Sequence, residues 1–354
     1  MILIDGHIDV ALNALVYNRD LRKSAKEIRI DEAEMTQKGR ARGTIGLPDL
    51  REAEVAVTFI TCLARVRSNP GENAVLDFRT HEAAFAHAQA ELAYYRELER
   101  QGIFRIISDL PTLNAHMAEW RGDSESCPLG AVLTMEGADP IVSPDRVHSW
   151  WDQGLRVLSL AHYGPSKYAF GTASEGPVTA DGLALLDEMS GTKMILDVTH
   201  LCDESFWIAV DRFTGPLIAT HSNCRALVPQ ERQFTDDQLK LLIERDAVIG
   251  AAMDAWMIEP GWIQYETQGA KVTLEDYVNH IDHVCQLAGN ARHAAIGTDL
   301  DGGYGTEQTP RDFDTYIDMQ RVPDLLRDRG YSESDIEAIC HGNWLRKLTD
   351  VWAD

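Results

Sequence analysis

Residues 194–221 read MILDVTHLCDESFWIAVDRFTGPLIATH. Two short aliphatic runs, Met194–Val198 and Leu217–Thr220, bracket a stretch with helical spacing, Asp203–Asp211, and each run is closed by a histidine, His200 and His221. Apolar runs of this length without polar alternation are typical of parallel strands buried on both faces. With a helix between them they make a strand–helix–strand unit.

The same unit recurs in both directions along the chain. Further strands are expected at Leu3–His7, Val55–Thr61, Ala131–Met135, Val157–Ala161, Val248–Met253 and Ala294–Thr298, eight in all. Helical spacing follows most of them, at His81–Gln101, Asp181–Met189, Asp236–Arg245, Leu274–Ala288 and Phe313–Asp328, and Ser332–Cys340 and Asn343–Trp352 close the chain. Thr80, Asp203, Thr235, Thr273 and Ser332 are placed as N-caps. Successive β-then-α units predict an α/β fold, a (β/α)8 TIM barrel forming one domain over residues 1–354, with an N-terminal insertion after the first strand and extra C-terminal helices. A doubly wound open sheet gives the same count. Residues 10–50 and 162–180 (HYGPSKYAFGTASEGPVTA) are insertions after the first and fourth strands. In a barrel both lie over the C-terminal mouth, where binding loops gather.

The 354 residues carry 33 Lys and Arg against 56 Asp and Glu, a formal charge of −23. That balance argues against nucleic acid or an anionic membrane as a partner, since both need surplus cations. The opening MILIDGHIDV reads as a strand and not as a leader, and no apolar run approaches the ~18 residues that span a bilayer. The six cysteines (Cys62, Cys127, Cys202, Cys224, Cys285, Cys340) form no CxxC pair and read as free thiols in a reducing, cytoplasmic setting.

Six of the eight expected strands end in a side chain that can bind metal. His7 and Asp9 close the first, Glu136 the third, His162 the fourth, His200 the fifth, His221 the sixth and Asp299 the eighth. In a barrel those ends form one ring. Positions i and i+2 of a strand face the same way, so His7 and Asp9 can grip one ion together. Three imidazoles and three carboxylates suit two divalent cations with one ligand shared. Mixed imidazole and carboxylate ligation favours zinc, with Mn2+, Co2+ or Fe2+ as substitutes. Taken singly, Asp299 in GTDLDGG also fits a turn aspartate, and Glu136 in MEGAD a helix-start carboxylate. The remaining histidines read as helix-surface or junction residues, and Trp151, Trp256 and Trp262 as core or lid packing.

These residues resemble the membrane dipeptidase (renal dipeptidase) family, peptidase family M19, of the amidohydrolase superfamily. The carrying motifs are DGHID, TMEG, GLRVLSLAH, ILDVTH, IATHSNCRAL with Arg232 eleven residues after His221, IGTDLDGG, and the tail HGNWLRKL. The resemblance implies two Zn2+ per subunit. His7 and Asp9 would hold the first ion, with Asp299 beside it, Glu136 would bridge, and His200 and His221 would hold the second. His162 would face the scissile bond and Arg232 would take the substrate's terminal carboxylate. It further implies a zinc-dependent dipeptidase that attacks the amide through a metal-bridging hydroxide. Asp299 would carry the proton to the leaving amine and His162 would stabilise the oxyanion. The family's tolerance of a D-residue at the C-terminal position implies L-Xaa-D-Xaa substrates, and a homodimer is expected from the family.

The chain departs from the family at Ile8, which replaces an Asn, at DLDG for DFDG, and at Gln233 after Arg232. It has no clear counterpart of a pocket tyrosine within Ala247–Met257. Lys23, Lys26, Arg29, Lys38, Arg40 and Arg42 make residues 19–42 basic. They read first as a salt-bridged surface insertion, and second as a lid that would favour an acidic side chain. Two other functions stay open: a different amidohydrolase-type hydrolase (lactonase, phosphotriesterase or deaminase), and a non-catalytic metal-binding barrel. HxD on the first strand and the bridging Glu136 in place of a lysine weigh against the former.

Overall fold

The computed structural model describes residues 1–69, 75–263, 266–267 and 269–353. All eight expected strands are present and parallel to their neighbours. They are β1 (Leu3–Ile8), β2 (Val55–Cys62), β3 (Leu129–Met135), β4 (Val157–Ser159), β5 (Ile195–Asp197), β6 (Leu217–Ile218), β7 (Ile249–Ala251) and β8 (Ala294–Ile296). β1 to β6 form one ladder in chain order, and β7 pairs with β8. A single parallel bridge, Ala219 to Ile249, joins the two sets. The sheet therefore curls, in a manner consistent with a TIM barrel, but no strand ladder closes β8 onto β1.

Side chains span that seam. The buried Asp5 carboxylate accepts the Thr298 amide at 2.9 Å, the Thr298 hydroxyl at 2.6 Å, the Tyr316 hydroxyl at 2.6 Å and the His7 amide at 3.0 Å. Asp197 in β5 makes a similar tie between the ends of β5 and β6. It accepts the amides of Thr199 (3.0 Å) and Thr220 (3.1 Å) and the Thr220 hydroxyl (2.6 Å). Each aspartate thus fixes the threonine that immediately precedes a predicted site residue, Asp299 or His221. On the inner face the strands come close enough for glycine alone. A Cβ added at Gly250 would stand 2.2 Å from the Thr220 carbonyl oxygen, one at Gly297 1.8 Å from the same atom, and one at Gly6 2.6 Å from it.

Helices cover the outer face as the amphipathic spacing predicts. Leu274–Ala288 and Asn343–Trp352 match their expected bounds, and Thr80, Thr235, Thr273 and Ser332 stand as N-caps. Three expectations are corrected. Cys202, not Asp203, occupies the cap of Asp203–Arg212: the backbone is still extended at Cys202 (φ −64°, ψ 163°) and already helical at Asp203, whose carboxylate pairs with Arg225 at 2.8 Å. Phe313–Asp328 is not one helix: a 3-10 turn over Tyr316–Arg321 precedes an α-helix at Val322–Asp328. An additional strand, Phe104–Ile106, pairs with the first half of β3, and its helix Leu110–Gly122 follows. Three residues centred on a charged Arg105 carry too little periodicity to be read as a strand.

The six cysteines are free and buried. Among the described residues, no helix is long and apolar enough to cross a membrane. Three of the spare histidines, His116, His280 and His293, are buried groups rather than surface ones, and His293 Nδ1 lies 2.9 Å from the Ala247 carbonyl. His116 Nε2 lies 2.8 Å from the Ala56 carbonyl, and His280 Nδ1 accepts the Cys224 amide at 3.1 Å.

Removing Asp5 would strand two amides and two hydroxyls in the seam. Each buried unpaired donor costs about 1–3 kcal/mol. Asp5→Ala is therefore expected to lower the unfolding free energy by about 3 kcal/mol or more, read from urea midpoints at unchanged m-value. A loss below about 0.5 kcal/mol would mean that the seam is held by something else.

Candidate metal centre and substrate cavity

The seven predicted side chains meet at the C-terminal ends of the strands. Glu136 lies at their centre, 4% exposed. Its Oε1 is 2.9 Å from His200 Nε2, 3.2 Å from His221 Nε2 and 3.7 Å from His162 Nε2. Its Oε2 is 3.6 Å from His7 Nε2, which in turn lies 3.7 Å from Asp9 Oδ2 and 3.8 Å from Asp299 Oδ1. Three overlapping groups have metal-ligand geometry: His7, His221 and Asp299; His7, Asp9 and Glu136; and Glu136, His162 and His200.

The local backbone explains how the side chains turn inward. His200 (φ 71°) and Asp299 (φ 58°) both adopt left-handed conformations just beyond their strands. A non-glycine residue pays a penalty there and persists only when its surroundings hold it. Here the Asp197–Thr199/Thr220 and Asp5–Thr298 bonds supply that hold. The next residue but one, Asp301, is left-handed as well. It accepts the Thr44 amide (2.8 Å) and hydroxyl (2.7 Å) and pairs with Arg19 at 3.2 Å. Arg19 pairs with Glu32 at 2.9 Å, so the insertion after β1 is locked to the loop after β8.

Protonation follows from burial. Loss of solvent drives His162, His200 and His221 well below the usual imidazole range, leaving them neutral with a lone pair to donate. Burial also lifts Glu136 to about 7, against the pull of His7, and holds Asp299 well above the carboxylate range. Burial lowers His7, but Glu136, Asp9 and Asp299 outweigh it and raise it to about 10. The tautomer of His221 can be derived. The Thr220 hydroxyl donates to Asp197, so at 2.9 Å it accepts from His221 Nδ1–H. Nε2 is then a bare lone pair aimed at a carboxylate oxygen.

A divalent cation fits this donor set. Lone pairs of His200 and His221 face Glu136 Oε1 and each other at 3.2 Å, an arrangement that repels unless a positive charge is shared. His7 Nε2 and Asp9 Oδ1 are buried with no hydrogen-bond partner among the described residues. Buried atoms of that kind are costly unless a metal uses them. Imidazole nitrogens with hydrogen-bonded far sides and converging carboxylates are the composition of a transition-metal site.

A cavity of about 410 Å³ opens above the cluster. Glu136, His162, His200, Asp9, Asp299 and Arg232 line it from below, and both expected insertions reach it through Leu12, Tyr17 and Lys38 and through Tyr163 and Ala173. Arg232 is buried and oriented by Ser222 Oγ (2.9 Å) and the His221 carbonyl (2.9 Å). The basic insertion is mostly ion-paired: Arg40 with Glu32 and Lys23 with Asp31 at 2.8 and 2.6 Å, and Arg29 and Lys26 with Asp314. Trp256 stacks near Tyr163, and Trp151 packs under Arg156.

Sequence reasoning missed two charged lining residues. β2 and β7 were the strands without a metal-capable terminus. They are followed by Arg65, whose Nη1 is 3.2 Å from His162 Nδ1 and whose Nε is held by Asp77 at 2.6 Å, and by Asp254. The signal for Asp254 was available, since it directly follows the expected strand Val248–Met253.

A parallel α/β sheet with a buried imidazole–carboxylate cluster at its C-terminal end defines a class, the metal-dependent hydrolases built on curled parallel sheets. Comparison with known proteins narrows it. The chain matches the family described as membrane dipeptidase (peptidase family M19) over residues 1–353, and it belongs to that family of metallo-dipeptidases. It is 26% identical to the dipeptidase aclJ of Aspergillus oryzae over 99% of this chain and 78% of that one. Several other curated relatives are matched over 45–64% of their own length. Among solved structures, a dipeptidase AC of metallopeptidase family M19 is 25% identical with a TM-score of 0.77, covering 100% of this chain and 99% of that one. A Rhodobacter sphaeroides metallopeptidase, liganded with a phosphinate mimic of the dipeptide L-Ala-D-Ala, has 23% identity and a TM-score of 0.76 over 99% of both chains and shares the fold.

Among the described residues, Glu136 is the one side chain paired with four imidazoles. Glu136→Gln is expected to weaken metal retention at least about 10-fold, measured by elemental analysis after dialysis. A variant that keeps the full wild-type metal content would refute its place at the centre.

Proposed function

We propose that this chain is a zinc dipeptidase with a binuclear centre on a single-domain (β/α)8 barrel, hydrolysing free dipeptides and accepting a D-residue at the C-terminal position. The observation that carries the reading is the convergence of His7, Asp9, Glu136, His200, His221 and Asp299 beneath a cavity of about 410 Å³ that Arg232 also lines. The phosphinate mimic of L-Ala-D-Ala carried by the Rhodobacter sphaeroides protein supports acceptance of a D-residue at the C-terminal position.

His7, Asp9 and Asp299 would hold one ion, His200 and His221 the other, and Glu136 both. When bound, such ions lower the pKa of water towards 7 and polarise a carbonyl. The side chains then have separate tasks. Arg232 offers a guanidinium already oriented by Ser222 and the His221 carbonyl, so it fixes a C-terminal carboxylate without losing rotamer freedom. That grip sets substrate length. His162, on the cavity wall and backed by Arg65, places an N–H where negative charge develops on the carbonyl oxygen. Asp299 Oδ1, facing His7 from the cavity floor, takes a proton from the attacking water and returns it to the leaving amine. The insertions over the mouth exclude bulk water.

Two variants separate these roles. Arg232→Ala is expected to raise KM for dipeptides about 100-fold while sparing an ester substrate without the carboxylate. His162→Ala is expected to lower kcat by about 100-fold or more with metal content intact. If a panel of L-L and L-D dipeptides on the zinc-loaded protein is uncleaved while lactones turn over, the dipeptidase reading gives way to a lactonase.

A further inference from the structure

Four carboxylates line the cavity: Asp9, Glu136, Asp254 and Asp299. Three of them belong to the groups with metal-ligand geometry, and among the described residues Asp254 belongs to none. It is nevertheless a built part of the wall. Only 6% exposed, it opens the short helix Ala255–Ile258 by accepting the Trp256 amide on Oδ1 at 2.8 Å. Gln308 Nε2, from the loop after β8, donates to the same oxygen at 2.8 Å. Two adjacent loops therefore hold the carboxyl in one orientation, and both donors fall on Oδ1, leaving Oδ2 outside these bonds.

Helix capping does not explain the charge. An asparagine caps equally well and carries no desolvation cost for an ion. Burial lifts Asp254 to about 6, even though the Gln308 and Trp256 bonds and the charges of Lys38 and Arg232 pull it down. A carboxylate this poorly solvated gains strongly from a cation delivered to it. Arg232 lines the same cavity, so its wall carries one buried guanidinium and one buried carboxyl outside the metal-ligand groups.

We infer that Asp254 receives the ammonium group of the substrate's amino terminus, so that the cavity reads a zwitterion at both ends. The inference rests on the dipeptidase reading above and deepens it. A free dipeptide carries one ammonium and one carboxylate at nearly fixed separation, and fixed opposite poles select for that separation as well as for each charge. N-blocked peptides and longer chains, whose amino group lies elsewhere, lose one pole.

The test uses Asp254→Asn, which keeps the helix cap and both Oδ1 bonds while removing the charge. Two ligands are titrated by calorimetry into the zinc-loaded wild type and variant: a phosphinate dipeptide isostere with a free amine and its desamino counterpart. Hydrolysis of the parent dipeptide is followed in parallel. The wild type is expected to prefer the amine-bearing ligand about 10- to 100-fold, and the variant to lose most of that preference while binding the desamino ligand as before. KM of the variant for the dipeptide rises by a similar factor. An equal preference in both proteins, with both still cleaving dipeptides, overturns the role of Asp254 alone. A wild type that cleaves no dipeptide and binds neither ligand overturns the dipeptidase reading and this inference with it.

Discussion

Glu136 has been taken out of water and surrounded, on one oxygen or the other, by the Nε2 atoms of His7, His162, His200 and His221. An isolated carboxylate in such a place costs several kcal/mol, and the bare Nε2 of His221 aimed at it adds to the cost. The charge of His7 offsets part of that cost, and a divalent cation among these donors would offset the rest. The rest of the structure follows from that demand: strands short enough to end on one level, loops long enough to shut the mouth, and buried threonines and aspartates that keep the donors from rotating away.

Asp5 and Asp197 show how the support is organised. Each sits inside a strand, each ties its own strand to a threonine of the next, and each threonine stands one residue before a donor. The strained backbone at His200 and Asp299 is thereby carried by rigid neighbours. Asp301 extends the arrangement outward through Arg19 to Glu32, so the lid over the cavity and the floor beneath it share one hydrogen-bonded frame.

Much of this was legible in the sequence because two signals are local. Aliphatic runs of four to eight residues give the strands, and a histidine or acid at the end of six of the eight runs gives the candidate site. Convergence of seven side chains spread from position 7 to position 299 then follows from barrel geometry. What stayed illegible has non-local causes. Phe104–Ile106 is a strand only because the first half of β3 offers it an edge. Arg65 reaches the cavity because a two-residue pairing of Arg65–Val66 with Asp77–Phe78 aims it there. Asp5 and Asp197 look like blemishes in apolar runs until the neighbouring threonine is known. Asp254 differs: it directly follows the expected strand Val248–Met253 and was legible there, but among the described residues it joins none of the groups with metal-ligand geometry.

The Thr220 carbonyl oxygen, with Gly6, Gly250 and Gly297 crowded around it, has a further consequence. Three segments crowd one backbone atom, and the buried Trp344 ring presses on Gly6 from the other side, so this part of the interior has no room for a larger side chain at any of the three glycines. Variation among proteins sharing this core, or imposed on it by an engineer, has nowhere to enter at those positions and is channelled into the overhanging segments. New specificities would therefore come from rebuilding the rim, with the floor inherited unchanged.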